Sequence, residues 1–279
     1  MNKTVICSPV TRRSFCLALS SAGLGACSPA ILESASLRRT LDLGLDADAL
    51  TAMVKMRGSL VAEDVPHWYY GTIYGVLPGE APLPLVDFEG SEIDYYERQA
   101  DGSYRAYGAT VSFFRDTQTK KRIFTFDNPI TGKRNAVEPN SISVKAHYIY
   151  SVNGMKRSDD LRPIPANGSI TNHLNWREAD DQIWLTMRRS YPAGLPMGEH
   201  QLVRGSLREL HNPNTSKVYT TAAPTYISPW LRWMDMRDHP GHTVWAGPAK
   251  KLDSIAQYPR ELLTFMEKNY PEKLTAKPS

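Results

Sequence analysis

Ten short segments rich in aromatic and β-branched residues follow one another along this chain, with no helices alternating between them. They are 66–76, 84–89, 92–98, 103–114, 121–126, 141–152, 169–176, 182–189, 200–210 and 242–246. Turn residues separate them: Ala100-Asp101-Gly102, Asp127-Asn128-Pro129 through Thr131-Gly132, Ala166-Asn167-Gly168 and His211-Asn212-Pro213-Asn214. Such a run favours an antiparallel sheet. A sheet of about ten strands either curls into a barrel or splits into a sandwich. The expectation is a mainly β, single antiparallel β-barrel-like (calycin-like) or sandwich domain, with short N- and C-terminal helices.

The helical signals are few. Asp46 or Asp48 can cap a first helix whose Leu50, Met53 and Val54 repeat at helical spacing. Ser228-Pro229 opens a short segment with Trp230, Trp233 and Met234 on one face. A last helix starts near Pro259, carries Leu262, Leu263, Phe265 and Met266 on one face, and ends at Tyr270-Pro271.

Residues 1–30 read as an address rather than as structure. Lys3, Arg12 and Arg13 precede the uncharged stretch Phe15 to Ala26, and Ser28-Pro29-Ala30 suits signal-peptide cleavage. Thr11-Arg12-Arg13-Ser14-Phe15-Cys16-Leu17 resembles the twin-arginine export motif. The apolar stretch falls short of the ~20 residues that span a bilayer. The expectation is a twin-arginine-type signal peptide over 1–30 and a single mainly β domain over 31–279, exported to the periplasm by the twin-arginine machinery, with no transmembrane segment in the mature chain. Leu24-Gly25-Ala26-Cys27 also resembles a lipobox, the alternative in which Cys27 becomes a lipid anchor.

The leader reorders the composition. All three cysteines, Cys7, Cys16 and Cys27, lie within it, so cleavage after Ala30 leaves no thiol for a disulfide, a nucleophile or a metal. It also removes 3 of the 33 basic residues and none of the 29 acidic ones, which makes the remainder nearly neutral. A neutral domain does not fit nucleic-acid binding, which shows as a basic stripe.

No GxGxxG, Walker, GxSxG or HExxH pattern occurs, so nucleotide, hydrolase and zincin readings lose their main support. No cofactor and no metal site is expected. His239-Pro240-Gly241-His242 pairs two imidazoles across a turn, which reads first as a polar loop. His147 lies in a strand, on the face opposite Tyr148 and Tyr150, and is either a surface histidine or a general acid/base. His200, after Glu199, is a weaker candidate for the same role, because adjacent strand residues point to opposite faces.

In His67-Trp68-Tyr69-Tyr70-Gly71-Thr72-Ile73-Tyr74, the residues Trp68, Tyr70, Thr72 and Tyr74 share one face. Aromatics with hydroxyls suit either a ligand pocket or a β core. Arg188 and Arg189 either clamp a carboxylate or pair with acids. Trp230 and Trp233 form either a lid over a barrel mouth or a core plug.

Three runs carry a family resemblance. The first is Trp68 to Glu80 with Pro84-Leu85 and Phe88-Glu89-Gly90. The second is Tyr107 to Asp116 with Thr125 to Gly132. The third is Ser228-Pro229-Trp230 through Met236, with Asp238, Pro240-Gly241 and Leu252-Asp253-Ser254. Together they resemble the bacterial domain-of-unknown-function family 1838, many of whose members carry twin-arginine signals. That resemblance implies a single exported domain and brings no assigned reaction.

The resulting expectation is a cavity that binds a small hydrophobic or aromatic molecule, such as a polyketide, terpenoid, steroid or lignin-type aromatic. In one form it is a cofactor-independent lyase, hydratase or isomerase. His147 or His200 would move the proton, Tyr70 would donate to an oxyanion and Asp127 would orient a partner; Trp68, Thr72, Tyr74, Arg188, Trp230 and Trp233 would bind substrate. In the other form the same shape is a non-catalytic carrier.

Overall fold

The computed structural model describes residues 40–138, 142–157, 171–190 and 197–278; the side chains of 142–147, 156–157, 171–173 and 190 are not described. The leader, its cysteines and the Ala166-Asn167-Gly168 turn therefore lie outside the described residues. In chain order the elements are helix α1 (Asp46–Arg57), strands β1 (Val65–Val76), β2 (Leu83–Arg98), β3 (Tyr104–Arg115), β4 (Thr125–Asp127), β5 (Arg134–Ala136), β6 (Ile142–Ser151), β7 (Gly154–Arg157), β8 (Thr171–Ala179), β9 (Gln182–Ser190) and β10 (Gly198–Ser206), helix α2 (Leu207–His211), strands β11 (Thr221–Ser228), β12 (His242–Ala246) and β13 (Ala249–Lys251), and helix α3 (Arg260–Asn269).

Eleven strands form one antiparallel sheet in the order β7-β6-β3-β2-β1-β12-β11-β10-β9-β8, with β13 bridging β1 and β11. The edge strands β7 and β8 approach each other, but no ladder joins them among the described residues. The sheet is therefore mainly β and barrel-like without being a closed barrel. Among the described residues no helix is long and apolar enough to cross a membrane.

The expected segments 84–89 and 92–98 are one strand, β2, because Gly90-Ser91 continues the ladder with β3 instead of turning. The expected strand 200–210 stops at Ser206, whose hydroxyl accepts from the Glu209 N–H and caps α2. β11 has no counterpart among the expected strands, and it carries Pro224, a residue uncommon in a central strand. The fold accommodates it at a break: on that side Thr225 pairs with Ala246 of β12 and Ala222 with Ala249 of β13, so the missing N–H falls where the partner changes. The expected helix after Ser228-Pro229 is a single 3-10 turn, Arg232–Met234. Ser228 instead belongs to β11, and its hydroxyl pairs with that of Thr243.

Four apolar clusters hold the sheet among the described residues, the smallest being Ile93, Tyr95, Ala109 and Ala276. In the first, α1 drives Met53, Val54 and Met56 against Tyr96, Tyr104, Tyr150, Leu185, Met187 and Val203. In the second, Trp233, Met234 and Met236 pack with Phe88, Phe114, Phe126 and Trp245. In the third, α3 lays Leu262, Phe265 and Met266 on Val111 and Phe113. Burying each such side chain is worth about 1.5–3 kcal/mol. Phe113 and Phe114 are neighbours in β3 yet join different clusters, which identifies the two faces of the sheet: Phe113 lies under α3, and Phe114 lies inside.

Candidate functional site

A cavity of about 310 Å³ lies inside the curled sheet, with walls from most of its strands and from the end of α1. Along β1 its lining residues are His67 and Tyr69. β2 presents Phe88 and Glu92, and β3 presents Thr110 and Ser112. Tyr69 of β1 and Ser112 of β3 both pair in register with Gly90 of β2. A Cβ on Gly90 would come within 2.5 Å of Ser112 Oγ and 2.7 Å of the Tyr69 ring. The missing side chain lets the Tyr69 ring lie flat across β2, where its hydroxyl meets Ser112 Oγ at 2.6 Å.

One part of the wall is aromatic. Phe88 and Trp245 belong to the second apolar cluster, Tyr69 and Tyr226 pack against it, and the Phe88 and Trp245 rings lie 5.2 Å apart. The rest of the wall is a polar layer that borders the cluster around α1. Arg57, the last residue of α1, donates from Nη1 to Gln201 Oε1 at 2.7 Å. Its Nη2 faces Asp94 Oδ2 at 3.3 Å and Glu92 Oε2 at 3.4 Å. Gln201 Nε2 donates to Glu199 Oε1. Arg189 then bonds Glu199 Oε2 and the Tyr150 hydroxyl, each at 2.8 Å. The chain of bonds runs from β2 through α1 to β10, β9 and β6.

Burial opposes charge on Arg57, but Glu92 and Asp94 outweigh it and hold the guanidinium charged. Burial and the adjacent Glu92 push the Asp94 carboxyl up, against the pull of Arg57. His67 is held well below the usual imidazole range by burial, then by Arg57 and Lys251. It is therefore neutral, and its Nε2–H donates to the Arg57 carbonyl at 2.8 Å. Lys251 is brought down to about 7 by burial. Its ammonium reaches the carbonyls of Lys55, Met56, Gly58 and Val218 at 3.1, 3.2, 2.5 and 3.0 Å. Lys251 thus closes the C-terminus of α1, whose last carbonyls have no partner in the helix. That engagement fits a structural cap and not a nucleophile.

The residues singled out from the sequence do not converge on this cavity. Trp68 and Tyr70 stack on each other at 4.8 Å on the other face of β1, where Tyr70 is exposed and Trp68 leans on the α3 cluster. Thr72 bonds Asp87 there at 2.7 Å, and Tyr74 is half-buried on the same face. The face expected to line a pocket is thus the outer one; His67 and Tyr69 point inward. A shift of one residue exchanges the faces of a strand, and both faces of this strand carry aromatics. His200 is likewise exposed on the outer face, while its neighbours Glu199 and Gln201 line the cavity. The same parity leaves Arg188 exposed and puts Arg189 inside.

Asp127 is exposed in the small β4–β5 ribbon, 3.6 Å from Arg134. His147 pairs with Tyr107 in the β6–β3 ladder, and its side chain lies outside the described residues. Trp230 is half-buried and donates to the His239 carbonyl at 3.1 Å, and Trp233 is a core plug between Phe114 and Phe126. Among the described residues no group of three or more His, Cys, Asp or Glu could hold a metal. Sequence reasoning missed Arg57, His67, Tyr69, Glu92, Asp94, Gln201 and Lys251. The charges of β2 gave no clean signal, because Glu92 and Asp94 alternate on the inner face while Asp87 and Glu89 alternate on the outer one.

Fold and cavity together define a mainly β protein with one barrel-like antiparallel sheet around a polar-floored interior. Residues 198–279 match the family model described as Protein of unknown function (DUF1838), which supports over that stretch the family resemblance read from the sequence. The stretch runs from β10 to the end of the described chain and contains the third of the three runs quoted above; the first two precede it. No curated protein matches the chain. Among solved structures, the Aeromonas veronii immune modulator A is similar at 11% identity over 72% of this chain and 98% of that one, with a TM-score of 0.12. A likeness this distant carries no argument.

Proposed function

We propose that this is an exported, periplasmic protein that holds a small, largely apolar organic molecule inside its curled sheet. The observation that carries the reading is the cavity itself: Phe88, Tyr226 and Trp245 offer ring faces on one part of its wall, and hydrogen-bonding groups are fixed on another. Export rests on the twin-arginine-like leader, and periplasmic fractionation with and without the twin-arginine translocase tests it. Binding is tested with the neutral fluorophore prodan. The expected result is saturable, blue-shifted emission at one equivalent, lost when Ala222→Phe fills the cavity. Absence of saturation, or binding indifferent to Ala222→Phe, overturns the reading.

One observation favours a second, catalytic reading as a cofactor-independent lyase or isomerase. The carboxylate of Glu92 and the Tyr69–Ser112 hydroxyl pair share the cavity wall. A carboxylate can take a proton from carbon while a hydroxyl donates to the developing oxyanion. Deuterium wash-in from D2O into 2-tetralone, lost in Glu92→Gln, is the expected signature. Exchange no faster than in buffer leaves the carrier reading.

A further inference from the structure

The hydrogen-bond partners in the cavity wall discriminate between classes of ligand, given the binding reading above on which this inference rests. Among the described residues, three cations line the cavity: Arg57, Arg189 and Lys251. Each is already engaged. Arg57 faces Gln201, Glu92 and Asp94; Arg189 holds Glu199 and Tyr150; Lys251 is bound by four backbone carbonyls. The Nε of Arg57 has no partner, but it is buried away from the cavity.

The anions are not equally occupied. Both oxygens of Glu199 accept hydrogen bonds, from Arg189 and Gln201. Glu92 has only the long 3.4 Å contact from Arg57 to Oε2, and its side chain is 33% exposed, the most open of this layer. Its Oε1 has no partner among the described residues. A carboxylate oxygen accepts only. The unused capacity of the charged wall is thus an acceptor bearing negative charge.

We infer that the occupant is an uncharged aromatic compound carrying a hydroxyl group, a phenol or naphthol in chemical class, whose O–H is received by Glu92 while its rings lie against Phe88, Tyr226 and Trp245. Aromatic acids are excluded, because a ligand carboxylate would meet Glu92 with every described cation of the wall already committed. Specificity of this kind is built from repulsion of the wrong ligand as much as from attraction of the right one.

The test is a calorimetric titration of the purified mature protein at pH 7.5 with 2-naphthol, 2-naphthoate and naphthalene. The three share one ring system and differ in the polar group. 2-Naphthol is expected to bind about tenfold or more tightly than either of the others, the scale of a hydrogen bond to a charged acceptor. Glu92→Leu is expected to bring 2-naphthol down to naphthalene, and Glu92→Gln to narrow the gap between 2-naphthol and 2-naphthoate about tenfold. Circular dichroism establishes that each variant is folded, and either variant alone decides the point. Binding of 2-naphthoate as tightly as 2-naphthol overturns the inference while leaving the cavity a binding site. So does a 2-naphthol advantage that survives both substitutions. Failure of all three compounds to bind, together with failure of prodan, removes the binding reading itself.

Discussion

Arg57 and Gln201 are 144 positions apart in sequence, and their side chains meet at 2.7 Å beside the cavity. The bond joins the end of α1 to β10 and continues through Glu199 to Arg189. Arg57 is also the counter-charge of Asp94 and Glu92, so it serves both halves of the polar layer at once.

Arg57→Met should therefore be severely destabilising. It leaves the buried Asp94, the half-buried Glu92 and the Gln201 amide oxygen without their donor. Breaking a buried ion pair from one side costs about 3–5 kcal/mol. Lys120→Ala removes the 2.6 Å pair with Asp87, in which the lysine is 65% exposed. Exposed pairs are worth about 0–1 kcal/mol. Urea unfolding of both variants should separate them clearly. Equal effects would mean that the interior layer is wet and weakly coupled.

Gly90→Val should damage the cavity and little else. The new side chain meets Ser112 Oγ and the Tyr69 ring at distances no Cβ tolerates, so Tyr69 has to leave the face of β2. Overpacking of this sort costs about 1–3 kcal/mol. The displaced ring occupies the space that prodan would take. A folded variant with a lowered melting temperature and no prodan binding is expected. Unchanged binding would place the ligand elsewhere.

The strand-rich antiparallel sheet and α3 were legible from alternation, turn residues and the Pro259 to Pro271 boundaries, but the individual strands were not all read: two expected segments are one strand, and β5, β7, β11 and β13 had no expected counterpart. What was not legible was parity. His67 and Tyr69 on one side of β1, and Trp68 and Tyr70 on the other, look alike as a pattern. Only the partner strands, with Gly90 opposite Tyr69 and α3 outside Trp68, decide which side is interior. The same one-residue ambiguity exchanged Arg188 for Arg189 and His200 for Glu199 and Gln201. The polar layer was hidden for a different reason. Arg57, Asp94, Gln201 and Lys251 come from four distant segments, each of which reads as an ordinary solvated charge or amide until the sheet curls. β11 went unread, and its Pro224 sits where the partner changes from β12 to β13.

Lys251 gives the alkaline side of the stability profile a definite sign. Its ordinary value of 10.5 falls to about 7 through burial. Between those values the unfolded chain holds a proton that the folded chain has released. Stability therefore rises with pH across that window. Lys55, lowered to about 8 by burial, acts in the same sense. The urea midpoint should climb from pH 7 to about pH 9.5, before the tyrosines of the unfolded chain begin to ionise. In Lys251→Met the climb should be smaller, with Lys55 supplying what remains. A midpoint that is flat or falling in the native protein contradicts the assignment of Lys251 as a buried, weakly basic cap.

Trp233 decides between a plug and a lid. Its ring lies 5.1 Å from Phe114 and 5.3 Å from Phe126, and the same cluster contributes Phe88 and Trp245 to the cavity wall. A plug is continuous with the core, so its removal opens a void that the surroundings refill only in part. Truncation of a buried tryptophan to alanine costs about 3–5 kcal/mol. A lid contributes little to stability, and its removal chiefly speeds ligand exchange. Trp233→Ala should therefore lower the free energy of unfolding by the larger amount and loosen Trp245, which is read as a broadened and red-shifted tryptophan emission. A variant with near-native stability and faster prodan release would instead make Trp233 the gate of the cavity.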